Sequence, residues 1–278
     1  MIYRLLLILY FFNFNLSNGY SQNHWINLFD GKSLKGWDTY LGPPFSAPGD
    51  HRTDLKPIGL NIDPKKTFSV VKVDGMHAIR ISGEHFGGIS TQNEYQNYHL
   101  RLQFKWGKLK WPPRLKGKMD SGILYHANGE QGLDNGFWMQ GQEFQVQEND
   151  CGDYWGCAGA IMDVPSFLQQ DSTYRYDPSG ELHTFQDKTA IGRHAVRSQN
   201  FEKPSGEWNT LDLYCMRDTA MHIVNGHVVM ILYHSKHIKN GNFVELTKGK
   251  IQIQSEGAEV YYRGIQLTKI KELPKMNF

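Results

Sequence analysis

Cysteine is scarce in this chain, three residues in 278. An odd count leaves at least one thiol outside any bridge, and no paired C-x-x-C is present to hold zinc or to run thiol exchange. Charge of one sign is lacking too. The 30 Lys and Arg against 28 Asp and Glu leave +2 at neutral pH, scattered rather than striped, which argues against nucleic acid or an anionic membrane as the main partner. The basic stretch KWGKLKWPPRLKGK (105–118) is the one exception, and its Gly, Pro and Trp read as a solvated loop. The chain has no phosphate loop, no dinucleotide glycine fingerprint and no Ser-His-Asp order. GGISTQ (87–92) is a turn into a strand, so no organic cofactor is expected.

Long apolar runs are missing except at the start. Arg4 precedes an apolar stretch from Leu5 to Phe12, and Asn13, Asn15 and Asn18 interrupt it well before the ~20 residues a membrane span needs. Small residues at Ser17, Gly19 and Ser21 complete the layout of a secretory signal peptide over residues 1–21, cleaved between Gly19 and Gln22. No cysteine lies near that cleavage region, so a lipid anchor is not indicated. The expectation is an exported protein, periplasmic or extracellular, without a membrane span in its mature form. The remaining segment, 22–278, holds about 255 residues and suits one domain. In an oxidising compartment Cys151 and Cys157, with five residues between them, are placed for a local disulfide. Cys215 in LDLYCMR, in phase with Leu211 and Leu213, reads as a buried free thiol.

Helical periodicity is absent as well, and strand patterns fill its place. Period-2 or short apolar segments recur at 67–73, 77–82, 98–106, 121–126, 137–147, 208–216, 220–233, 249–255 and 260–270, mostly bounded by Gly, Asn, Asp or Pro. Asp74-Gly75 and Asn225-Gly226 carry the chemistry of type I′ hairpin turns. At least nine strands without an amphipathic helix or a repeat predict an all-β fold, a two-sheet antiparallel β-sandwich of the jelly-roll class. The connections 41–66 and 165–206 read as long loops of the kind that carry function.

Five segments together, WINLFDGKSLKGWDTY (25–40), DSGILYH (120–126), EFQVQENDCGDYWG (143–156), HIVNGHVV (222–229) and GKIQIQSEGAEVYYRGIQL (249–267), resemble the 3-keto-disaccharide hydrolase domain family. The resemblance runs from Trp25 to Ile270. It implies a concanavalin A-like jelly roll akin to laminarinases and a small carbohydrate substrate, a glycoside whose C3 hydroxyl is already a ketone. That ketone acidifies the C2 proton, so a base can remove it and expel the C1 substituent, after which water adds. An upstream sugar 3-oxidoreductase would supply the keto-sugar. The chemistry needs one base, one group or metal that stabilises the enolate, and one proton donor.

Candidate site residues centre on EFQVQ. Glu143, Gln145 and Gln147 share one strand face, and Glu148 has opposite parity, so it reaches the same cleft only across a β-bulge. Glu143 is the expected general base or a metal ligand. His126 is in phase with Leu124 and Gly122 and is expected at a sheet rim near Glu143, as proton carrier or ligand. Gln145 and Gln254 offer amides suited to sugar hydroxyls, and the resemblance adds Glu256, beside Gly257 in the terminal motif. Among Trp106, Trp111, Trp138, Tyr154 and Trp155, one or two are expected as a sugar-stacking platform, Trp138 foremost. Glu148, Asp150 and Asp153 read either as an oxygen-rich cation site or as turn caps, without the spacing of a calcium loop. A divalent metal stays unassigned. Two other functions fit the chain. A laminarinase-like retaining β-glucanase would use Glu143 and Glu148 in an E-x-D-x-x-E pattern, but Gln145 stands where its Asp belongs. A non-catalytic carbohydrate-binding module would keep the cleft alone.

Overall fold

Alternation of apolar and polar side chains builds the sheets. Along Tyr98–Lys110, Leu100, Leu102, Phe104 and Trp106 are buried, while Arg101, Gln103 and Lys105 between them turn outward, as a period of two on a one-sided strand requires. The computed structural model describes residues 24–44 and 55–275, and every regular element among the described residues is a β-strand. The signal peptide expected over 1–21 and part of the 41–66 connection lie outside the described residues. No helix among the described residues is long and apolar enough to cross a membrane.

The strands form two antiparallel sheets, one of twelve and one of eight. The central path of the larger runs, in spatial order, Tyr174–Tyr176, Ala160–Leu168, His227–Lys239, Thr219–Val224, Asn209–Met216, Tyr98–Lys110, Ala258–Lys269, Met76–Ile81 and Phe68–Val73. The smaller runs His194–Ala195, Tyr154–Cys157, Gln140–Gln147, Asp120–Asn128, Lys250–Ser255, Gly87–Thr91, Trp37–Leu41 and Gly59–Leu60. Their inner faces meet in one core, to which Phe104, Ile79 and Leu213 come from the larger sheet and Ile123, Phe144 and Ile253 from the smaller. This is the predicted sandwich of the jelly-roll class. Both predicted hairpins are present. Asp74 and Gly75 have φ of 49° and 78°, Asn225 and Gly226 50° and 85°, and these left-handed pairs match the right-handed twist of the flanking strands.

The connection 165–206, expected as a loop, instead carries strands at Tyr174–Tyr176, Glu181–Phe185 and His194–Ala195. They are short pieces of two to five residues, too brief for a period of two to stand out in the sequence. The segment Gln140–Gln147 also departs from expectation. It is buried on both faces rather than one, because loops at 111–119 and 129–139 fold over its outer side.

The bridge between Cys151 and Cys157 does not form. All three cysteines are free and buried. Cys151 packs in the main core, whereas Cys157 belongs to a separate cluster with Phe86, Leu124, Ala127, Trp138 and Met139 on the other face of the smaller sheet. Two thiols on opposite faces of one sheet cannot meet without moving backbone. Cys215 is the buried free thiol expected.

Candidate active site

The outer face of the smaller sheet lines a cavity of about 520 Å³. Register decides which side chains enter it. Asp120 pairs with Gln147, Gly122 with Gln145 and Leu124 with Glu143, so residues of even number on one strand and odd on the other share that face. Trp155 joins them from the next strand, opposite Glu143, and Gln254 and Glu256 come from the other side. Glu143, Gln145, Gln254, Glu256 and Trp138 are thereby brought together.

His126 is not among them. A register shift between Tyr125 and Asn128 breaks the phase of its strand, His126 takes φ of 51°, and its ring lies against Tyr98 and Tyr125. Burial lowers its pKa to about 4, so the ring is neutral at physiological pH. The position expected for it at the cleft rim is corrected accordingly, the bulge on its own strand being the cause. No bulge carries Glu148 into the cleft either. Glu148 sits in the turn, where its backbone N–H donates to the Met119 carbonyl at 2.9 Å and its carboxylate accepts from Met119 N–H at 3.4 Å. Asp150 pairs with Lys118 and Arg197, and Asp153 with His194 and Arg197, which makes these acids structural anchors of the turn. Among the described residues no group of three or more His, Cys, Asp or Glu side chains is arranged to hold a metal ion. Of the aromatics singled out, Trp138 and Trp155 line the cavity. Trp138 is fixed by its indole N–H on the Gly87 carbonyl at 2.9 Å.

The structure adds groups that pattern reading missed. Arg114, from the stretch taken for a solvated loop, reaches over the cleft and bridges Asp120 at 2.7 Å and Glu256. Asp120 is 1% exposed and lines the cavity. Arg193 pairs with Asp134 at 2.8 Å and lies over the Trp155 ring. Cys157 donates its S–H to Glu143 Oε2 at 3.1 Å. Only Arg114 left a trace in the sequence, as the arginine beside PP in a basic stretch. Arg193 and Cys157 are placed by pairing across the sheet.

Electrostatics follow from the count of buried charges. Burial raises Glu143 to about 8, and Glu256 and Asp134 push the same way while Cys157 and Arg193 oppose them. Burial likewise raises Asp120 well above the usual carboxylate range, helped by the Glu256 charge, and raises Glu256 less because Arg114 opposes. Arg114 itself stays charged, since Glu256 and Asp120 outweigh its own burial. Arg114, shared between Asp120 and Glu256, and Arg193, already paired with Asp134, do not keep Asp120, Glu143 and Glu256 all ionised, so near neutral pH this cluster retains protons. Two buried acceptor oxygens, Asp120 Oδ1 and Gln254 Oε1, have no partner within the protein. Groups of this kind are satisfied by hydroxyls brought in from outside.

Gly122 gives the cluster its room. A Cβ there would lie 2.1 Å from Glu143 Oε1 and 2.5 Å from Gln254 Oε1. Both clashes are with side-chain ends rather than backbone. Gly122→Ala is therefore expected to keep the fold, seen as an unchanged far-ultraviolet circular dichroism spectrum, while displacing both groups and lowering kcat/KM on the cleaved sugar by about 100-fold, as misplacements near 1 Å do.

A two-sheet antiparallel sandwich with an acidic, arginine-bridged and aromatic-walled cleft on one sheet is the form of a glycosyl hydrolase-like, carbohydrate-active protein. The chain belongs to the family described as the 3-keto-alpha-glucoside-1,2-lyase-like domain, which matches residues 24–268. Among solved structures, two Parabacteroides distasonis chains designated glycosyl hydrolases are similar. One is 19% identical with a TM-score of 0.49 over 89% of this chain and 100% of that one. The other is 16% identical with a TM-score of 0.47 over 89% and 94%. A Bacillus licheniformis β-glucanase is 9% identical with a TM-score of 0.43 over 90% and 98%. The comparison with curated proteins returned no match.

Proposed function

We propose that this protein is an exported enzyme that cleaves 3-keto-glycosides by elimination and hydration, with Glu143 as the base. The observation that carries the reading is the protonation pattern of the cleft, a carboxyl near pKa 8 facing Asp120 and Glu256, which share one guanidinium. A base whose pKa lies near ambient pH combines ionised population with proton-accepting strength.

Glu143 takes the proton from C2. The C–H electron pair forms the C1=C2 bond in conjugation with the C3 ketone, the C1–O bond breaks, and the leaving oxygen receives a proton from the Asp120/Glu256 pair. Charge that builds on the ketone oxygen is met by a cationic guanidinium, Arg114 or Arg193, in a largely dry cleft where such a contact is strong. Water then adds at C1 of the 3-keto-glycal, returning the 3-keto sugar. Gln145, Gln254 and Glu256 hold hydroxyls, and Trp138 offers an apolar ring to a sugar face. A divalent cation remains compatible with this scheme, and no residue set is assigned to it. The cation, apolar run and small residues over 1–21 support export, and the substrate requires an oxidoreductase upstream that converts the C3 hydroxyl to the ketone.

The test is to offer the purified protein matched intact and 3-keto glucosides, with and without chelator. Cleavage of the keto partner alone supports elimination, and loss with chelator adds a metal. Equal cleavage of the intact glycoside replaces this reading with a β-glucanase, and binding without cleavage of either replaces it with a carbohydrate-binding module.

Cys157 tunes the base. Its S–H on Glu143 Oε2 favours the ionised carboxylate, so Cys157→Ala is expected to move the acidic limb of the kcat/KM profile upward by about half to one pH unit. Cys157→Ser, which keeps a donor, should move it less. A profile unmoved by both substitutions would show that Glu143 does not titrate in the reaction.

A further inference from the structure

Two guanidiniums line the cleft, and they stand on opposite sides of Glu143. The Glu143 carboxyl spans its two neighbouring strands. Oε2 accepts the Cys157 S–H from one of them, and Oε1 reaches over Gly122 on the other. Arg193 lies beyond the Cys157 side, where its carbonyl accepts the Gly156 N–H at 3.0 Å just before the edge strand His194–Ala195. Arg114 lies beyond the Gly122 side, over Asp120 and Glu256. Asp120 is two residues from Gly122 on the same face, about 7 Å along the strand.

The two cations are held for different work. Arg193 makes both of its hydrogen bonds through Nη1, to Asp134 Oδ1 at 2.8 Å and to the Gly156 carbonyl at 3.3 Å, which leaves Nη2 and Nε free to donate to a guest. One carboxylate and the Trp155 ring, its centroid 5.6 Å from Cζ, fix the guanidinium in advance. Donors oriented in this way suit an oxyanion, because nothing has to reorganise as the charge develops. Arg114 faces two carboxyls instead. Asp120 Oδ2 accepts from Arg114 Nη2 at 2.7 Å and from Gln147 Nε2, while Oδ1 has no partner among the described residues. A proton on this carboxyl therefore sits on Oδ1. Once it leaves, the negative charge that remains already has Arg114 beside it. Glu256, whose Oε1 is held by Arg114, is left to bind hydroxyls.

We propose that Arg193 is the catalytic donor to the C3 oxygen and that Asp120, through Oδ1, is the acid at the C1 oxygen, so that the sugar ring lies with C3 toward Trp155 and C1 toward the Arg114 loop. This rests on the reading of the cleft as an elimination site. Glu143, between the two ends, takes the C2 proton. The C–H pair forms C2=C3 and the carbonyl pair moves onto O3, where Arg193 meets it. That pair then returns to O3=C3, the C2=C3 pair shifts to C1=C2, the C1–O bond breaks, and the departing oxygen takes the Asp120 proton. In hydration, water gives a proton back to Asp120 and its oxygen to C1, and Glu143 returns its proton to C2.

A ligand without a leaving group separates the two ends. In 1,5-anhydro-3-keto-glucitol C1 carries only hydrogen, so the base and the C3 donor act and the acid does not. In D2O the unaltered protein is expected to exchange the C2 hydrogen, and Arg193→Met to slow that exchange by about 100-fold or more. Asp120→Asn should leave it within about threefold, since the acid has no part in this step. Arg193→Met strands Asp134, so Arg193→Lys is measured beside it; keeping the charge without the fork, it should recover about tenfold of the loss. With a leaving group present the pattern reverses. Asp120→Asn should lower kcat/KM by about 100-fold on methyl 3-keto-glucoside and by less than about tenfold on the 4-nitrophenyl compound, whose oxygen departs without a proton. Arg193→Met should lower both alike. Exchange that survives Arg193→Met, or that falls equally in Asp120→Asn, overturns the assignment, as does an equal loss on both glucosides in Asp120→Asn; elimination itself stands in each case. No exchange and no cleavage by the unaltered protein sinks the elimination reading and the assignment with it.

Discussion

Glu143→Gln is expected to lower kcat/KM on a 3-keto-glucoside by about 10³- to 10⁴-fold, the worth of a positioned general base, and at the same time to make the protein more stable in alkaline solution. The two effects have one cause. Glu143 is 5% exposed, and burial holds its carboxyl near pKa 8 against 4.5 for the free group. Below pH 4.5 native and unfolded chains both carry the proton. Between pH 4.5 and 8 the unfolded chain releases it while the native chain keeps it, so the unfolded state gains and stability falls as pH rises. Across that window the loss reaches at most about 5 kcal/mol at ~1.4 kcal/mol per pH unit. Glutamine has no proton to lose. Thermal unfolding of the two proteins should therefore coincide near pH 4 and separate by several degrees at pH 8.5, the variant melting higher. A variant that melts lower at pH 8.5 would mean that the native cleft does not raise the pKa of Glu143, and the protonation argument for the site would fail with it.

Arg114→Met should be the most destabilising of these substitutions. The guanidinium is the bridge between Asp120 and Glu256, whose side chains are 1% and 10% exposed. Removing one partner of a buried ion pair strands the other and costs about 3–5 kcal/mol. Because Arg114 is itself 30% exposed, the lower end applies. The cost depends on pH. Without Arg114 both carboxyls rise further above their unfolded values, so the stability they contribute is retained below the unfolded carboxylate range and lost as pH increases through the folded one. Urea unfolding should show a small deficit near pH 4 and the full deficit at pH 8. Equal deficits at both would assign Arg114 to packing, where its stem lies over Gly257. Activity should fall in the variant at every pH, since the proton donor pair loses its shared cation.

The strands that carry the core were legible because alternation survives in them. YHLRLQFKW and WNTLDLYCM each place apolar residues at every second position, and burial follows that period. Asp74-Gly75 and Asn225-Gly226 were legible for a local reason, since only residues tolerant of positive φ make the twist-matched turn. The common face of Glu143, Gln145 and Gln147 followed from parity alone. His126 did not, because parity holds only until a bulge, and nothing in SGILYHAN marks the register shift that turns its ring toward Tyr98. Cys151 and Cys157 misled by their spacing. Five residues suit a bridge in sequence, but the sheet lies between them.

By itself the sequence determined an all-β chain, its principal strands and turns, the phase of the glutamate and glutamine row, and the family to which these segments belong. These are properties of neighbours along the chain, where periodicity and turn chemistry act. Only the tertiary structure decided the rest of the cleft. Arg114 is drawn over Glu256 from a distant segment, and the register between neighbouring strands sets Cys157 and Trp155 against Glu143. The pKa of Glu143 is likewise a consequence of the loops that bury it, because a carboxyl keeps its proton only when the surrounding fold removes water and withholds compensating charge.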